Sequence, residues 1–449
     1  MKSEAYINGF SKRTKAEKID WICSQFFHDP EAAKQLLEGY WNSDTQLQQL
    51  HDEFIENALT NYYLPLGVAP NFIINGTSYT LPMAIEESSV VAAAAKAAKF
   101  WQTRGGFKAK VLAMEKVGQV HFNFNGTPTS LHAFFENIKP QLLEDCKPLT
   151  KKMEARGGGI SSVTLVDKSE AIPQYFQLHV HFNTVDAMGA NFINSCLEQM
   201  ASTLQAAAED YFSDQDVRLE VVMSILSNYV PNCLVEAEVR CPVEDLGTHD
   251  GLDAEHFARK FIQAVHIAEK EPYRAVTHNK GIMNGVDAVV LATGNDFRAV
   301  EAGVHAYAAR NGQYCSLSSA AIEDNVFVFR LQLPLALGTV GGLTRLHPLV
   351  QWSLELLGNP SAANLMEIVA VAGLAQNFAA LRSLVSSGIQ KGHMKMHLLN
   401  LLNQHKANAS QKAAAVKYFE QHNVSSQAVQ DFLKAHPKTW SGFLKGSCS

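Results

Sequence analysis

The sequence predicts an α+β fold in which a small split βαβ domain is inserted into a larger mixed α/β domain. Between residues 108 and 224, short β-rich runs alternate with two helical stretches, and the segments on either side lack this alternation. From His393 onward, the chain is nearly all helical in pattern. At 449 residues it is also too long for one ordinary core, so two or three domains are expected.

The first hundred residues predict helix, then hairpin, then helix. Apolar residues recur at helical spacing between 12 and about 50. Phe72-Ile73-Ile74 followed by Asn75-Gly76 indicates a strand that enters a hairpin turn. The alanine-rich run from Glu86 to Phe100 favours a helix whose small side chains pack closely.

The inserted domain is predicted from its order of elements, which is two strands, a helix, two strands, a helix and a strand. The helices are expected near 130–144 and 186–211. Gly105-Gly106 precedes this stretch and Ser227-Asn228 follows it, so both ends are plausible hinges. The strands are expected at 109–114, 119–124, 160–166, 175–182 and 218–224.

After the insert, the signals are more mixed. A helix is expected at 254–269, and 274–294 combines loop and strand signals. Asp296 is a candidate N-cap for a helix that runs to Ala309. A strand is expected at 326–335 and a helix at 377–386 that ends before Gly388. The predicted domains are therefore 1–107 with 225–388, the insert 108–224, and a helical end at 389–449.

Composition excludes several classes of protein. The net charge is −6 without a basic stripe, so a nucleic-acid surface is not expected. No apolar run reaches the roughly 18 residues of a membrane helix, and the beginning lacks the apolar core of a signal peptide. The seven cysteines include no CxxC pair, which indicates reduced thiols in a cytoplasmic protein.

Four polar residues are poorly explained as core or plain surface: Glu56, Lys280, Asp296 and His393. Lys280 lies in the donor-rich segment 277–281, which is expected to be a loop. Taken singly, each has an ordinary explanation, because an Asp before a helix is usually an N-cap and a lone Glu or Lys is usually exposed. Together, two acids, a lysine and a histidine suit the reduction of a thioester.

The chemistry of that reduction needs these residue types. Hydride attack on a thioester carbonyl builds negative charge on oxygen, which a placed ammonium stabilises by roughly 3–4 kcal/mol. A carboxylate beside the lysine keeps the lysine charged. A histidine can protonate a departing thiolate, and a carboxyl kept protonated by burial can protonate an aldehyde oxygen.

The segment 186–191 is the candidate nucleotide site. Asp186 is expected to cap a helix that follows a strand, and Gly189 leaves room at the first turn, where helix N–H groups bind phosphates. It is not a GxGxxG fingerprint, so an ordinary capped helix is the alternative. Gly157-Gly158-Gly159 could let the backbone approach a ligand or form a flexible turn.

Metal binding is not expected. His393 and His397 have the i, i+4 spacing of a zinc pair, but there is no HExxH motif and no obvious third ligand. His179 and His181 alternate along a predicted strand and share one face, which favours a structural role.

Long stretches of the chain resemble the 3-hydroxy-3-methylglutaryl-CoA reductases, and they are most similar to the soluble class II enzymes. The resemblance extends from near the N-terminus to the helical end and follows the order of the family's motifs. It is carried by ENALT, LPLGVAPNFIINGTSYTLPMAIEESSVVAAAA, DAMGAN, RAVTHNKGIMNGVDAVVLATGNDFRAVEAGVHAYA and GLAQNFAALRSLVSSGIQKGHMKMH.

The resemblance implies roles for individual residues. Glu56 matches the catalytic glutamate, Lys280 the lysine that polarises the carbonyl, Asp296 an aspartate in the Lys/Glu network, and His393 the histidine that protonates the CoA thiolate. Two further groups have implied contacts: Arg274, Asn284 and Gln376 with the substrate, and Asp186, Met188, Gly189 and Asn191 with the dinucleotide.

The resemblance also implies an architecture and a reaction. A large domain with a central helix binds the CoA ester, a ferredoxin-like insert binds the nicotinamide nucleotide, and a C-terminal helical flap closes over the site. The site is built at the interface of a homodimer, which can assemble further. Two hydride transfers without a metal convert the thioester to mevalonate and free CoA, or the reverse.

Two stretches depart from the family pattern. Asn61-Tyr62-Tyr63 follows ENALT, where the family usually has Gly, then Thr or Ser, then Phe. The different residues change a wall of the pocket. Ser161 and Ser162 stand near the place where NADH-preferring relatives have an acidic residue. A carboxylate would repel a 2′-phosphate and serine would not, so NADPH is favoured over NADH, and synthesis of mevalonate over breakdown.

Two alternatives remain open at this stage. The chain could reduce a different acyl-CoA thioester on the same scaffold, which a substrate panel would reveal. It could also be a non-catalytic protein that kept the fold, although the presence of all four catalytic residue types argues against that.

Overall fold

The computed structural model describes residues 6–386, 388 and 398–437. The chain divides into two compact units, Met1–Pro65 and Leu66–Ser449, and each is described by itself.

The described part of the first unit is helical, as its sequence predicts. A 3₁₀ turn at Phe10–Lys12 precedes α1 (Lys15–Phe26), α2 (Pro30–Glu38) and α3 (Thr45–Asp52). Each α-helix begins at a side-chain N-cap, which divides the helical stretch into short pieces. Lys15 Nζ donates to Asp52 Oδ1 at 2.8 Å and so joins α1 to α3.

The second unit alternates strands and helices. Its strands are β1 (Leu66–Ile74), β2 (Thr77–Ala84), β3 (Lys108–Val111), β4 (Lys116–Phe124), β5 (Gly159–Asp167), β6 (Tyr175–Asn183), β7 (Leu219–Leu226), β8 (Leu234–Pro242), β9 (Ser318–Glu323) and β10 (Val326–Pro334). Its helices are α4 (Val90–Gln102), α5 (Pro128–Glu154), α6 (Ala190–Tyr211), α7 (Ala254–Lys270), α8 (Pro272–Ala292), α9 (Phe297–Ala308), α10 (Leu343–Leu346), α11 (Pro348–Leu356), α12 (Ala362–Val385), α13 (Ala409–Tyr418) and α14 (Ser426–Ala435).

The predicted hairpin is confirmed. Strands β1 and β2 pair antiparallel, and their turn is Asn75-Gly76 with φ of 50° and 87°. Positive φ at both turn positions matches the right-handed twist of the strands, and Asn-Gly adopts it at low cost.

The large core surrounds α12. This helix packs against α4, α8, β8 and β10, and most of its residues are fully buried. It is apolar and long enough to cross a membrane, but 72% of its most apolar window is buried inside the protein, as in the core helix of a globular domain. The sheet beside it has the strand order β3-β8-β10-β9. A core helix buried all round has little amphipathic stripe, so the sequence predicts this helix only from residue 377 onward.

Helix α8 corrects the sequence prediction for 274–294. Lys280, which was expected in a loop, lies in the middle of this continuous helix. The buried residues of α8 are spread around its circumference and include His278, Asn279 and Gly285. When a helix is buried on several faces and contains polar residues and glycines, it has no single polar stripe. Its 3.6-residue hydrophobic periodicity is then hard to recognise in the sequence.

The inserted split βαβ arrangement is confirmed, with one strand moved. The small sheet has the order β5-β6-β4-β7, with every neighbouring pair antiparallel and with α5 and α6 packed on it. This is the ferredoxin-like order. The strand expected at 109–114 does not join it, because β3 pairs with β8 in the large sheet. Of the predicted pair of leading strands, only β4 belongs to the insert.

The helical end has a small core of its own. Residues 398–404 are helical and pack with α13 and α14 around Leu402, Ala415 and Val429. Helix α13 begins with a capping box between Asn408 and Gln411.

Candidate active site

Lys280 is paired with a carboxylate. Its Nζ donates to Glu87 Oε2 at 2.5 Å, which joins the middle of α8 to the segment just before α4. The lysine side chain is 58% exposed and the glutamate 38% exposed, so both can be reached from solvent. A charged ammonium that is oriented by a carboxylate and open to a ligand can hold a carbonyl oxygen as it gains negative charge.

Glu56 is the glutamate that the motif resemblance predicts to be catalytic, but the carboxylate in contact with Lys280 is that of Glu87. Glu56 lies in the first unit, in a turn after α3, and is exposed. Glu87 stands 193 residues before Lys280 and belongs to the quoted run IEESS, whose second glutamate was not singled out. Only the fold reveals that pairing.

Asp296 caps α9, as predicted. Its Oδ1 accepts from the N–H groups of Arg298 and Ala299 at 3.0 and 3.2 Å, and the Arg298 guanidinium donates to both carboxylate oxygens. Burial raises the pKa of Asp296, but these hydrogen bonds and the arginine charge outweigh it and leave the pKa below its usual value. These contacts favour the ionised form of the Asp296 carboxylate.

The loop 338–340 connects Asp296 to the nucleotide segment. Asn295 Oδ1, from the residue before Asp296, accepts from Gly338 N at 2.8 Å. Gly338 lies so close to Met188 that an added Cβ would be 2.3 Å from the Met188 nitrogen. Met188 and Asp296 also line one cavity, so the structure brings the candidate cofactor segment and a candidate catalytic acid together.

The three candidate substrate residues lie on α8 and α12. Asn284 follows Lys280 by one turn and shares its face of α8. Gln376 of α12 is buried, its Oε1 has no hydrogen-bond partner among the described residues, and its Cβ lies 2.9 Å from where a Cβ on Gly285 would be. Arg274 is half-buried in the first turn of α8, and this burial lowers its pKa.

The segment 186–191 differs in detail from its prediction. Helix α6 begins at Ala190, and its N-cap is Gly189 with φ of 90° and no side-chain cap. Asp186 was expected to cap this helix, but its Oδ1 accepts from Ala362 N at 2.7 Å, at the start of α12. The first-turn N–H groups of α6, including that of Asn191, are thus left without a carboxylate cap, which suits a phosphate.

Ser161 and Ser162 are exposed on β5, which is an edge strand of the small sheet. The register with β6 shifts between Ile160 and Ser162, so the chain bulges at Ser161. Such a bulge turns side chains away from the regular alternation and leaves them free for a ligand.

Asp287 and Glu301 form a carboxyl pair that the sequence does not predict. Asp287 lies on the same face of α8 as Lys280 and Asn284, at positions i, i+4 and i+7. Burial and a hydrogen bond with Glu301 of α9 raise the pKa of Asp287 to about 8. Glu301 in turn pairs with His305 at 2.5 Å. The repeat of polar residues at 280, 284 and 287 was the available signal, but it is visible only if 274–294 is read as a helix.

His393 lies outside the described residues, so its prediction has no structural counterpart here. Within the described ranges, no group of three or more His, Cys, Asp or Glu side chains could hold a metal ion.

The chain is similar to known proteins along most of its length. The sequence model of the hydroxymethylglutaryl-coenzyme A reductase family matches residues 17–398. The 3-hydroxy-3-methylglutaryl-coenzyme A reductase of Archaeoglobus fulgidus is 36% identical over 399 residues, which cover 88% of this chain and 86% of that protein. A probable reductase of the same name from Borreliella burgdorferi is 34% identical over 359 residues, which cover 79% of each chain.

A solved structure is similar as well. The class II 3-hydroxy-3-methylglutaryl-CoA reductase from Streptococcus pneumoniae, bound to NADPH in open conformations, superposes with a TM-score of 0.70 at 37% identity. The match covers 84% of this chain and 99% of that one. The resemblance seen in the sequence is confirmed, and the chain belongs to the hydroxymethylglutaryl-coenzyme A reductase family of NAD(P)H-dependent oxidoreductases.

Proposed function

We propose that this protein reduces 3-hydroxy-3-methylglutaryl-CoA to mevalonate and free CoA with two molecules of NADPH, and that Lys280 and Glu87 form the catalytic pair. The observation that carries the proposal is the 2.5 Å contact between Lys280 Nζ and Glu87 Oε2 on the exposed side of α8. In this assignment Glu87 takes the role that the motif comparison gave to Glu56.

The pair fits the charge changes of both reductions. NADPH supplies a hydride to the carbonyl carbon, and the electron pair of the C=O bond moves onto oxygen. The Lys280 ammonium stabilises that oxyanion, and the contact with Glu87 orients the ammonium. When the tetrahedral adduct collapses, the C–S bond breaks and CoA leaves as a thiolate. In the second reduction, the alkoxide of mevalonate takes a proton from the Lys280–Glu87 pair.

Asp296 and His393 complete the proposed machinery. Because Asp296 is ionised and holds the start of α9, we assign it a role in orienting the site rather than in donating a proton. His393 is assigned from its motif as the acid that protonates the CoA thiolate. A His393→Gln variant should therefore lose thioester reduction and keep the reduction of mevaldehyde, which contains no thiolate leaving group.

The nucleotide is proposed to lie against the start of α6. The positive φ of Gly189 and the uncapped first turn fit a pyrophosphate, whose negative charge the helix N-terminus favours. Met188 and Asn191 belong to the same turn, and Asp186 shapes it through its contact with α12. The relative from Streptococcus pneumoniae that resembles this chain is a complex with NADPH.

NADPH preference is proposed from Ser161 and Ser162. Both serines are exposed at the bulge of β5, where neither carries a charge that would repel a 2′-phosphate. A Ser162→Asp variant should shift the ratio of catalytic efficiencies towards NADH, with Ser169→Asp on the following turn as the control. Equal or better efficiency of the unmodified enzyme with NADH would contradict the preference, and with it the inclination towards mevalonate synthesis.

Substrate contacts are proposed for Arg274, Asn284 and Gln376. Asn284 shares the helical face of Lys280, and the buried Gln376 Oε1 has an unused acceptor that a substrate hydroxyl or amide could satisfy. Arg274 offers a half-buried positive charge for a carboxylate or phosphate.

A homodimer, or an assembly of dimers, is proposed as the active form. Ile55, Tyr62, Tyr63 and Leu64 in the first unit are all at least 36% exposed, and Tyr62 reaches 96%. Four large apolar side chains within ten residues are typical of a surface that a partner covers. We also propose a cytoplasmic location, since the six cysteines of the described residues are free thiols.

The domain roles follow the same proposal. The small nucleotide domain is best placed from β4 to β7, the large domain around α8 and α12 takes the CoA ester, and the helical end acts as the flap. A mixture of purified protein, NADPH and one acyl-CoA at a time tests the function. Oxidation of NADPH with 3-hydroxy-3-methylglutaryl-CoA is expected, and preference for another acyl-CoA would mean that the pocket has diverged.

A further inference from the structure

Lys116 is a buried lysine that the mechanism above does not use. It is the first residue of β4 and is only 3% exposed. Its Nζ donates to Thr184 Oγ1 at 2.5 Å and to Ala187 O at 2.7 Å. Lysine is almost never fully buried unless its ammonium group has hydrogen-bond or ionic partners. The two acceptors of Lys116 therefore offset the cost of burying its charge.

Both acceptors belong to the turn that leads from β6 into α6. Thr184 Oγ1 also donates to Ala187 O at 2.6 Å, so the lysine, the hydroxyl and the carbonyl form one connected group. Gly189 packs on the same threonine, since an added Cβ would lie 2.5 Å from Thr184 Cγ2. The position of the N-cap of α6 therefore depends on the threonine that Lys116 holds.

The opposite side of this turn is held by the backbone of the loop at 338–340. Thr339 N donates to Asp186 O at 2.8 Å, and Ala187 forms a parallel bridge with Val340. The turn is thus held by backbone hydrogen bonds, by the contact of the Asp186 carboxylate with Ala362 N, and by the Lys116 ammonium group. Of these groups, the ammonium supplies the positive charge.

Lys116 also lines the partly open cavity that Met188 and Asp296 share, and Asn228 is a further lining residue. The lysine is consequently part of the boundary between the proposed nucleotide turn and the start of α9.

We infer that Lys116 is a positioning residue for the dinucleotide: its ammonium group fixes the 184–187 turn and so sets the first turn of α6 in the geometry that receives the pyrophosphate. This inference rests on the proposed function, because it assumes that the dinucleotide binds at α6. It concerns affinity for NADPH, and it leaves the chemistry at Lys280 unchanged.

The charge of Lys116 gives the inference a measurable signature. Burial lowers the pKa of Lys116 to about 8, while Cys233 and Asp186 facing it favour the charged form. Asp296 lines the same cavity. The ammonium form dominates below the pKa, so the turn is held most firmly at neutral pH. As the pH rises through about 8, the amine becomes neutral, and affinity for NADPH should fall.

The test is to measure the dissociation constant of NADPH by fluorescence from about pH 7 to about pH 9.5, above the range in which its phosphate titrates. Lys116→Met removes the charge and nearly keeps the length. Lys110→Met is the matched control, because Lys110 lies on β3, is 65% exposed and pairs with Glu236. At pH 7 we expect Lys116→Met to bind NADPH about tenfold more weakly, as for loss of a hydrogen bond from a charged group.

Three further results are expected. The affinity of the unmodified enzyme and of Lys110→Met weakens above about pH 8, whereas Lys116→Met gives a flat profile. In Lys116→Met, the KM for 3-hydroxy-3-methylglutaryl-CoA and the kcat at saturating NADPH stay within about twofold of the values for the unmodified enzyme. Thr184→Val, which removes the hydroxyl without removing the charge, weakens NADPH binding in the same direction and less than additively with Lys116→Met.

The outcomes separate this inference from the proposed function. If the unmodified enzyme does not bind NADPH, the proposed function fails first. If it binds NADPH with the same affinity at pH 7 and pH 9.5, or if Lys116→Met binds as tightly as Lys110→Met, the role of Lys116 is refuted and the function stands. Should Lys116→Met not fold, the pH profile of the unmodified enzyme and the Thr184→Val variant decide the question without it.

Discussion

Replacing Glu87 by glutamine separates the catalytic value of the Lys280–Glu87 contact from its structural value. Glutamine keeps the size and a hydrogen-bond acceptor but removes the negative charge 2.5 Å from Lys280 Nζ. The two side chains are 58% and 38% exposed, so solvent screens the pair and its contribution to stability is about 0–1 kcal/mol. Unfolding by urea should therefore shift little.

The effect on turnover should be much larger. Without the Glu87 carboxylate, the ammonium is no longer held where the oxyanion forms, and loss of such a stabilising interaction costs about 10²–10³ in kcat. That corresponds to about 3–4 kcal/mol of transition-state stabilisation, several times the change expected in stability. The assay is NADPH oxidation at saturating 3-hydroxy-3-methylglutaryl-CoA, followed by nicotinamide absorbance.

Two neighbouring acids provide the controls for this prediction. Glu86→Gln removes an exposed carboxylate next to Glu87 in sequence and should leave kcat within about threefold. Glu56→Gln tests the motif-based assignment and should also have a small effect. A loss in Glu56→Gln as large as that in Glu87→Gln would refute the reasoning from the contact, as would full activity of Glu87→Gln.

Two further predictions concern the surroundings of the site. Because the pKa of Asp287 is raised to about 8, from about 3.9 in the unfolded chain, the protonated carboxyl contributes stability that is fully present below about pH 4, declines as the pH rises, and is lost once the pH passes about 8. Urea unfolding between about pH 6 and pH 9 should show this decline, and Asp287→Asn, a permanent donor to Glu301, should flatten it; an unchanged slope would contradict the shared proton. Gly189→Ala should lower stability by about 1–3 kcal/mol and abolish NADPH binding, because it adds contact with Thr184 to the strain of positive φ. Gly312→Ala, at φ of 89° in open space, carries the strain without the contact, so equal effects of the two on NADPH binding would argue against a special role for Gly189.

The sequence predicts elements well where local chemistry determines them. The Asn75-Gly76 hairpin, the Asp296 cap and the ferredoxin-like insert were all predictable, because turn geometry, N-capping and strand alternation act over a few residues. Helix α8 was not, since burial on several faces removes the polar stripe by which a helix is recognised.

Contacts between distant segments were the other limit. Nothing local at Glu87 marks it as the partner of Lys280, and nothing local at Asp186 directs its carboxylate to the start of α12 rather than α6. Motif comparison identified Lys280 and the nucleotide turn, but it singled out Glu56, and the contact of Glu87 with Lys280 is visible only in the fold. The strand β3 was misplaced for the same reason, because its pairing with β8 joins residues more than one hundred positions apart.

The central claim is that Lys280 carries the reduction of 3-hydroxy-3-methylglutaryl-CoA. The most direct measurement is NADPH oxidation with that substrate by the unmodified enzyme and by Lys280→Ala, with circular dichroism and NADPH affinity recorded for both. We predict turnover by the unmodified enzyme and its near-total loss in Lys280→Ala, with folding and NADPH binding retained. Comparable turnover by the Lys280→Ala variant would contradict the account.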